Sequence, residues 1–490
     1  MKKNNKKQKS IKVNFIFYAI KTVLSLIFPL ITFPYASRVL LPNGIGKINF
    51  ADSIIAYFVL LASLGINTYA IREGAKVRDD KNKLSTFCQE ILIINIFTTI
   101  ISYIILFIMV FHLELFNDYK LLIIIFSATI CFNTIGVEWL YGALEEYKYI
   151  SIRTIIFNIL SILLLLIFVK NPNDYIKYAM IQVFASVGSN ILNLFNARKY
   201  ISFKKKEKYN FKKHLKPILI IFGLNIACNI YMNFDKTCLG LISGDESVGL
   251  YTASLKIIRM TISVITIVGT ILLPRLTYCL EKKEIDKFKI LIKKAFNFVF
   301  MFSIPSALGI FILSSNIIGL LSGPTYQEAD ITMKILTLII PTIGISNLIA
   351  VQIFIPFGKE IYSLISSCVA ALVNLSINLL LIPHLAQNGA AIGTVVAELF
   401  ALIFCILLSR KVINLKGITR NIYQYLFSSL SIIIIYYICS IIFSTNILLI
   451  ISTITLSGIV YFILLYILKN EYILEVIEEI KTKLLRKKEV

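Results

Sequence analysis

The sequence predicts an all-α polytopic membrane protein of about 14 transmembrane helices. Three observations carry this. Of its 490 residues, 57% are hydrophobic and only 16% charged, with a mean hydropathy of +0.81, whereas an ordinary soluble domain carries about 25% charge. Its apolar residues fall in runs near 20 long, the length that crosses a hydrocarbon layer about 30 Å thick as a helix. Its basic residues alternate between the two sets of connecting segments.

The runs fall at 12–36, 48–71, 84–111, 119–143, 150–169, 174–196, 215–240, 248–273, 290–312, 329–354, 360–383, 388–411, 420–443 and 446–468. They are Ile-, Leu- and Phe-rich and do not alternate polar with apolar, so they read as helices rather than barrel strands. The run after the basic start is too long for a signal-peptide core, and the first helix is expected to remain as a span. The tail 469–490 sets Ile473, Val476, Ile477, Ile480 and Leu484 on one helical face, with Lys481, Arg486 and Lys487 near its end. This pattern fits a surface-lying amphipathic helix or a solvated tail.

The formal net charge is +23. Segments 1–12, 72–83, 144–153, 197–216, 274–294, 355–360, 409–420 and 469–490 hold 40 of the 50 Lys and Arg, and the opposite segments hold five. The positive-inside rule then puts both termini in the cytoplasm. One missed or invented span would scramble this alternation downstream. The excess charge is therefore a topology signal with an attraction to anionic membrane lipids, and nucleic acid is not an expected partner.

No expected outside loop exceeds about 16 residues, which leaves no room for the large catalytic loop of a membrane polymerase or ligase. No nucleotide-binding, zinc-protease or serine-hydrolase motif stands in a usable context. The eight Cys are scattered and the three His lie far apart in sequence, so neither a disulfide framework nor a metal site is expected. No cofactor is expected from these residues.

Ionisable residues inside apolar runs are costly, about 2.5–3.5 kcal/mol each on insertion scales, and usually face a cavity or a partner. The first run carries Lys21, Ser25 and Thr32 on one face; the second carries Asp52, Ser63 and Asn67. The seventh has Asn225, Asn229 and Lys236 with Asp235 beside them. The eighth sets Thr252, Lys256, Arg259, Ser263 and Thr266 at helical period. Lys256 and Arg259, one turn apart, repel unless an anion sits between or opposite them. The uncharged rows of the sixth and eleventh runs (Gln182 to Asn196, Ser363 to Asn378) read equally well as hydrogen-bonding glue between helices. Arg72, Glu73, Lys76 and Arg78 read as topology determinants, and Glu138, Trp139 and Arg153 as interface anchors unless the site recruits them.

An internal repeat is visible. Gly44–Ile54 (GIGKINFADSI) opens the second run and Ser247–Ile257 (SVGLYTASLKI) the eighth; Gly46 aligns with Gly249, six helices apart. The offset suits two related six-helix lobes of parallel topology.

The segments Pro34–Gly46 (PYASRVLLPNGIG), Leu64–Lys76 (LGINTYAIREGAK) and Val137–Arg153 (VEWLYGALEEYKYISIR) resemble the first third of Wzx-type polysaccharide flippases of the MOP exporter superfamily. Asn233–Lys236 (NFDK), Val248–Tyr251 (VGLY), Gly323–Tyr326 (GPTY) and Gly389–Gly393 (GAAIG) agree in order and spacing, while the last two runs carry no such motif.

The resemblance implies two lobes facing each other in a V, an N-lobe 12–196 and a C-lobe 215–411. The basic stretch 1–11 precedes them, the basic linker 197–216 joins them, and two helices at 420–468 and the tail 469–490 follow. It implies a bacterial cytoplasmic membrane and an undecaprenyl-pyrophosphate-linked oligosaccharide substrate, flipped outward by alternating access for capsule or O-antigen-type synthesis. A polysaccharide polymerase is an implied partner and a monomer the expected state. Lys21, Arg38, Lys236, Lys256 and Arg259 are then candidates to hold the pyrophosphate in a low-dielectric cavity. Asp52, Glu138, Asp235 and Glu398 are candidates for coupling or gating. A MATE-like drug or cation antiporter is the alternative transporter, though it would favour an acidic cavity. A polymerase or ligase is the alternative of another class.

Overall fold

A computed structural model describes residues 11–202, 204, 208–414 and 421–486. These residues form helices and connecting turns, with no strand among them. Because a helix satisfies its own backbone groups, it is the form an apolar run must take in lipid. Eleven helical segments are long and apolar enough to cross a membrane. Only 22–50% of each one's most apolar stretch is buried inside the protein. The remainder is a greasy exterior, with Phe97, Leu372, Tyr437 and Ile441 all more than 60% exposed. This is an all-α, multi-pass membrane protein.

The chain divides into two compact units, 1–249 and 250–490. The first contains α1 (Ile11–Ser63), α2 (Ile66–Val77), α3 (Lys81–His112), α4 (Lys120–Gly136), α5 (Glu138–Ala143), α6 (Tyr147–Phe168), α7 (Tyr175–Val183), α8 (Asn190–Ala197), α9 (Lys212–Ile242) and the first turn of α10 (Asp245–Glu281). The second contains the rest of α10, then α11 (Ile285–Leu321), α12 (Ala329–Leu336), α13 (Ile339–Asn347), α14 (Glu360–Ser409), α15 (Ile422–Ile442), α16 (Asn446–Ile467) and α17 (Glu471–Arg486).

Two helices are too long for one crossing. At 1.5 Å per residue, the 53 residues of α1 and the 50 of α14 would each span about 75–80 Å. Both break at one residue: Leu41 at φ 61°, ψ 172° and Ala386 at φ 46°, ψ −126°. Leu41 precedes Pro42, whose ring disfavours a helical predecessor. Each is thus two helices joined by a single-residue corner, where the sequence reading expects a loop (37–47 and 383–388). The helices run past the hydrocarbon layer, and hydropathy marks only the part inside it.

The unit boundary at Gly249 falls after the seventh expected span, later than the linker 197–216 at which the resemblance divides the lobes. The physical reason is the seam between α9 and α1. Thr237 Oγ1 lies 3.1 Å from both Ser53 Oγ and Tyr57 Oη, and Gly240 is so close to Phe50 that a Cβ would overlap the ring.

Contacts follow the expected alternation of sides. At one end of the first unit, Arg78 bonds Glu145 at 2.7 Å and Tyr200 bonds Glu146; both join basic segments. The guanidinium of Arg78, beside Glu145, is held above its ordinary range. At the other end Lys47 lies 5.4 Å above the Tyr175 ring, and Tyr119 donates to Asp245 at 2.6 Å; all join the opposite segments. In the second unit, Lys293 and Lys294 pair with Glu471 and Glu475, while Asn316 meets Asn446. Segments expected on one side meet one another in both units.

Candidate functional site

The first unit brings together two of the candidate residues. Lys21 Nζ donates to Glu138 Oε1 at 2.8 Å, with both side chains partly exposed. The two are 117 positions apart. Glu138 opens the short helix α5 immediately after Val137, whose φ of 38° breaks the chain away from α4. That break turns what would be one helix into two and swings the carboxylate toward α1. Behind it Arg153 is buried, its guanidinium donating to the Ser189 carbonyl and Asn190 Oδ1 at 3.2 and 3.3 Å. Arg153 braces the π-helical turn Phe184–Gly188 in the sixth span. It acts as a buried strut rather than an interface anchor.

The other first-unit candidates are spread along the two helices of the seam. Asp52 is exposed on α1, beside the buried Ser53 that bonds Thr237. Asp235 is buried on α9 and Lys236 half-buried beside it. Arg38 is exposed near the end of the first half of α1. All four have interactions of their own. The side chain of Asn229 lies outside the described residues.

In the second unit the row on α10 is continuous. Lys256, Arg259, Ser263 and Thr266 are all half-buried. Ser263 and Thr266 turn their hydroxyls back onto the carbonyls of Arg259 and Ile262 at 2.8 and 3.0 Å, so they do not compensate the charges. Among the described residues Arg259 has no ion-pair partner, and the buried Thr252 hydroxyl at the head of the row has no hydrogen-bond partner. Glu398 is buried on α14 and engaged. Asn374 and Asn378 on the same helix bond each other at 3.1 Å inside the unit, so this part of the eleventh row serves packing. Ser363 caps the Ala350 carbonyl at 3.1 Å.

One constellation escapes the sequence reading. Glu90 on α3 and His214 on α9 are both buried, Oε2 to Nε2 2.8 Å apart. His214 Nδ1 lies 2.7 Å from the Tyr69 hydroxyl of α2. Lys213 pairs with the same carboxylate at 2.9 Å, and the Asn210 backbone N–H donates to its other oxygen at 2.6 Å. Phe87 and Trp139 close over the cluster edge to face. Helices α2, α3 and α9 are thus tied through one carboxylate and one imidazole, below an apolar core of Ile66, Leu84, Ile91 and Ile218.

At the opposite end the repeated glycines meet. A Cβ on Gly46 would overlap the Asp245 carbonyl, and a Cβ on Gly249 would overlap the Pro42 carbonyl. Pro42 and Asp245 stand as far apart in the chain as Gly46 and Gly249 do, so the contact is reciprocal. The two turn-into-helix segments cross with local pseudo-twofold symmetry, each using its glycine to admit the other's backbone.

Comparison with known proteins agrees with this architecture. The family described as "Polysaccharide biosynthesis protein" matches residues 11–279. A protein of Escherichia coli (strain K12) named as an O-antigen transporter is 25% identical over 398 residues, 80% of this chain and 95% of its own. The capsular polysaccharide biosynthesis protein CapF of Staphylococcus aureus is 26% identical over 405 residues, 80% of this chain and 97% of its own. Among solved structures, a lipid II flippase MurJ in an inward closed conformation superposes with a TM-score of 0.74 at 18% identity, covering 94% of this chain and all of that one. An inward-facing multidrug MATE transporter of the MOP superfamily reaches 0.63 at 14%, covering 81% and 97%. The chain belongs to the polysaccharide biosynthesis protein family, as its resemblance to Wzx-type members of the MOP superfamily implies.

Proposed function

We propose that this protein is a flippase, not an enzyme. It moves undecaprenyl-pyrophosphate-linked oligosaccharide repeat units from the cytoplasmic to the outer leaflet of a bacterial membrane, for capsule or O-antigen-type synthesis. The observation that carries this reading is extent of likeness. The fold follows a lipid II flippase over 94% of the chain and a drug-exporting relative of the same superfamily over 81%. Names given to the sequence relatives point to polysaccharide traffic as well.

The chemistry of the residues supports it. A polyprenyl pyrophosphate needs cations in low dielectric for its head and an apolar track for its tail. Lys256 and Arg259 are half-buried one turn apart, and Lys21 is held by a carboxylate that a phosphate can displace. In the second unit an apolar groove of about 910 Å³, lined by Leu308, Phe311, Leu338, Tyr423, Phe427 and Leu430, suits an isoprenoid tail. The implied mechanism is alternating access by two lobes, 12–196 and 215–411, driven by an H⁺ or Na⁺ gradient through Asp52, Glu138, Asp235 or Glu398. Lys236 and Arg38 complete the cationic set. Both termini face the cytoplasm by the charge rule, the protein works as a monomer, and a polymerase receives its product.

The test is deletion of the gene with analysis of polyprenyl-linked intermediates. Single repeat units accumulating on the inner leaflet are expected. Units reaching the outer leaflet unpolymerised would instead indicate a polymerase, and unchanged surface glycan with heightened drug sensitivity an exporter.

A further inference from the structure

The second unit contains a crevice of about 710 Å³ between α10 and α11, bordered by α17. Its chemistry changes with depth. Val268, Leu272 and Phe298 line it toward the apolar middle of the helices, and Leu291 and Lys294 stand between them and the outer end. Arg275 and Lys287 stand at its outer end, with Tyr278 and Tyr472 beside them. That outer end belongs to 274–294 and 469–490, two basic segments of one membrane side. Three cations and one carboxylate, Glu284, line the whole crevice.

The cations are unequally engaged. Lys287 bonds Glu284 at 2.9 Å and Lys294 bonds Glu475 at 3.1 Å. Arg275, exposed, has no ion-pair or hydrogen-bond partner among the described residues. A guanidinium placed one turn beyond Leu272, at the depth where an apolar wall meets the membrane surface, is matched by an anion that is itself tethered to an apolar chain. Tyrosines at the same level are the side chains that favour the head-group layer. Burial of Ile473 against the unit, with the ion pairs Lys293–Glu471 and Lys294–Glu475, holds Tyr472 of α17 over the opening.

We propose that this crevice is a binding site for an anionic phospholipid, with its phosphate between Arg275 and Lys287 and an acyl chain along Val268, Leu272, Leu291 and Phe298. The site lies apart from the cationic row Lys256–Arg259 assigned to transport, so it stands whether or not the flippase reading does. Occupancy would compete with Glu284 for Lys287, beside Tyr472 of the C-terminal helix.

The test uses the full-length purified protein in native mass spectrometry, with phosphatidylglycerol and phosphatidylcholine at equal concentration and water-soluble sn-glycerol phosphate as a third arm. Phosphatidylglycerol should be retained in preference. The double variant Arg275→Gln/Lys287→Gln should lower that preference about fivefold or more, since one surface cation is worth roughly that factor. Arg275→Lys should keep most of it, and Lys83→Gln in the first unit should leave it unchanged. In the unmodified chain, a photoreactive phosphatidylglycerol should label residues around Tyr278 and Tyr472, a readout that does not depend on the variants folding. Equal retention of the two lipids, an unaffected double variant, or labelling elsewhere would overturn the proposal. So would displacement by glycerol phosphate as effective as by the lipid, which would assign the crevice to a soluble phosphate.

Discussion

Lys256 and Arg259, proposed to hold the head group, are charges within an apolar run. The cost of burying a cation in lipid is large enough that helical spacing alone picks out the row, and the structure keeps Lys256, Arg259, Ser263 and Thr266 half-buried and Thr252 buried on one helix. Replacing both with Ala should abolish glycan export while leaving the protein inserted at normal levels; membrane abundance and surface polysaccharide are the two readouts, and normal polysaccharide would remove the row from the transport path. Glu90 and His214 show the reverse. Glu90 lies inside the third run and His214 just before the seventh, and 124 positions separate them. Nothing local in the sequence says that they touch. Removing Glu90 leaves a buried neutral imidazole without its hydrogen-bond partner and should cost about 1–3 kcal/mol, whereas Lys213→Ala, half-exposed, should stay within about 1 kcal/mol. His214 lies just before the seventh span, and burial holds its pKa below the ordinary 6.5 despite the pull of Glu90. The unfolded chain therefore binds a proton that the folded one resists, and stability should fall as pH is lowered through 6.5. Thermal unfolding of His214→Gln should show that slope flattened.

At the scale of elements, the expected spans are mostly helical, but 48–71, 119–143 and 329–354 each break inside, and other junctions do not resemble the expected loops. Leu41 and Ala386 each turn the chain in a single residue. The first was legible through Pro42; the second has its Pro three residues earlier, at 383, and carries no comparable signal. The crossing of Gly46 and Gly249 was foreshadowed by the weak repeat, because a backbone-to-backbone approach leaves the same demand for glycine in both copies. Gly46→Ala and Gly249→Ala should each destabilise by about 1–3 kcal/mol through overpacking. As both disturb one contact, the double variant should cost clearly less than the two together. Additive losses in thermal unfolding would show that the two positions are not coupled.

At the scale of the whole molecule, the sequence carries a clear topology expectation. It rests on 40 basic residues against five, a sum that no single residue can distort, and segments assigned to one side do meet in both units. What the sequence could not supply was pairing: which carboxylate holds Lys21, and why the seventh span belongs with the first six. Those depend on where an α-left break such as Val137 aims a helix and on how closely Gly240 admits Phe50. The central claim is that these helices carry an anionic sugar-lipid across the bilayer. Its most direct test is reconstitution of the purified protein into vesicles with polyprenyl-pyrophosphate-linked repeat units in one leaflet, followed by a membrane-impermeant glycan-modifying reagent. The account predicts that units from the protected leaflet become accessible with the native chain and not with the Lys256→Ala/Arg259→Ala variant; equal accessibility in both, or none in either, would contradict it.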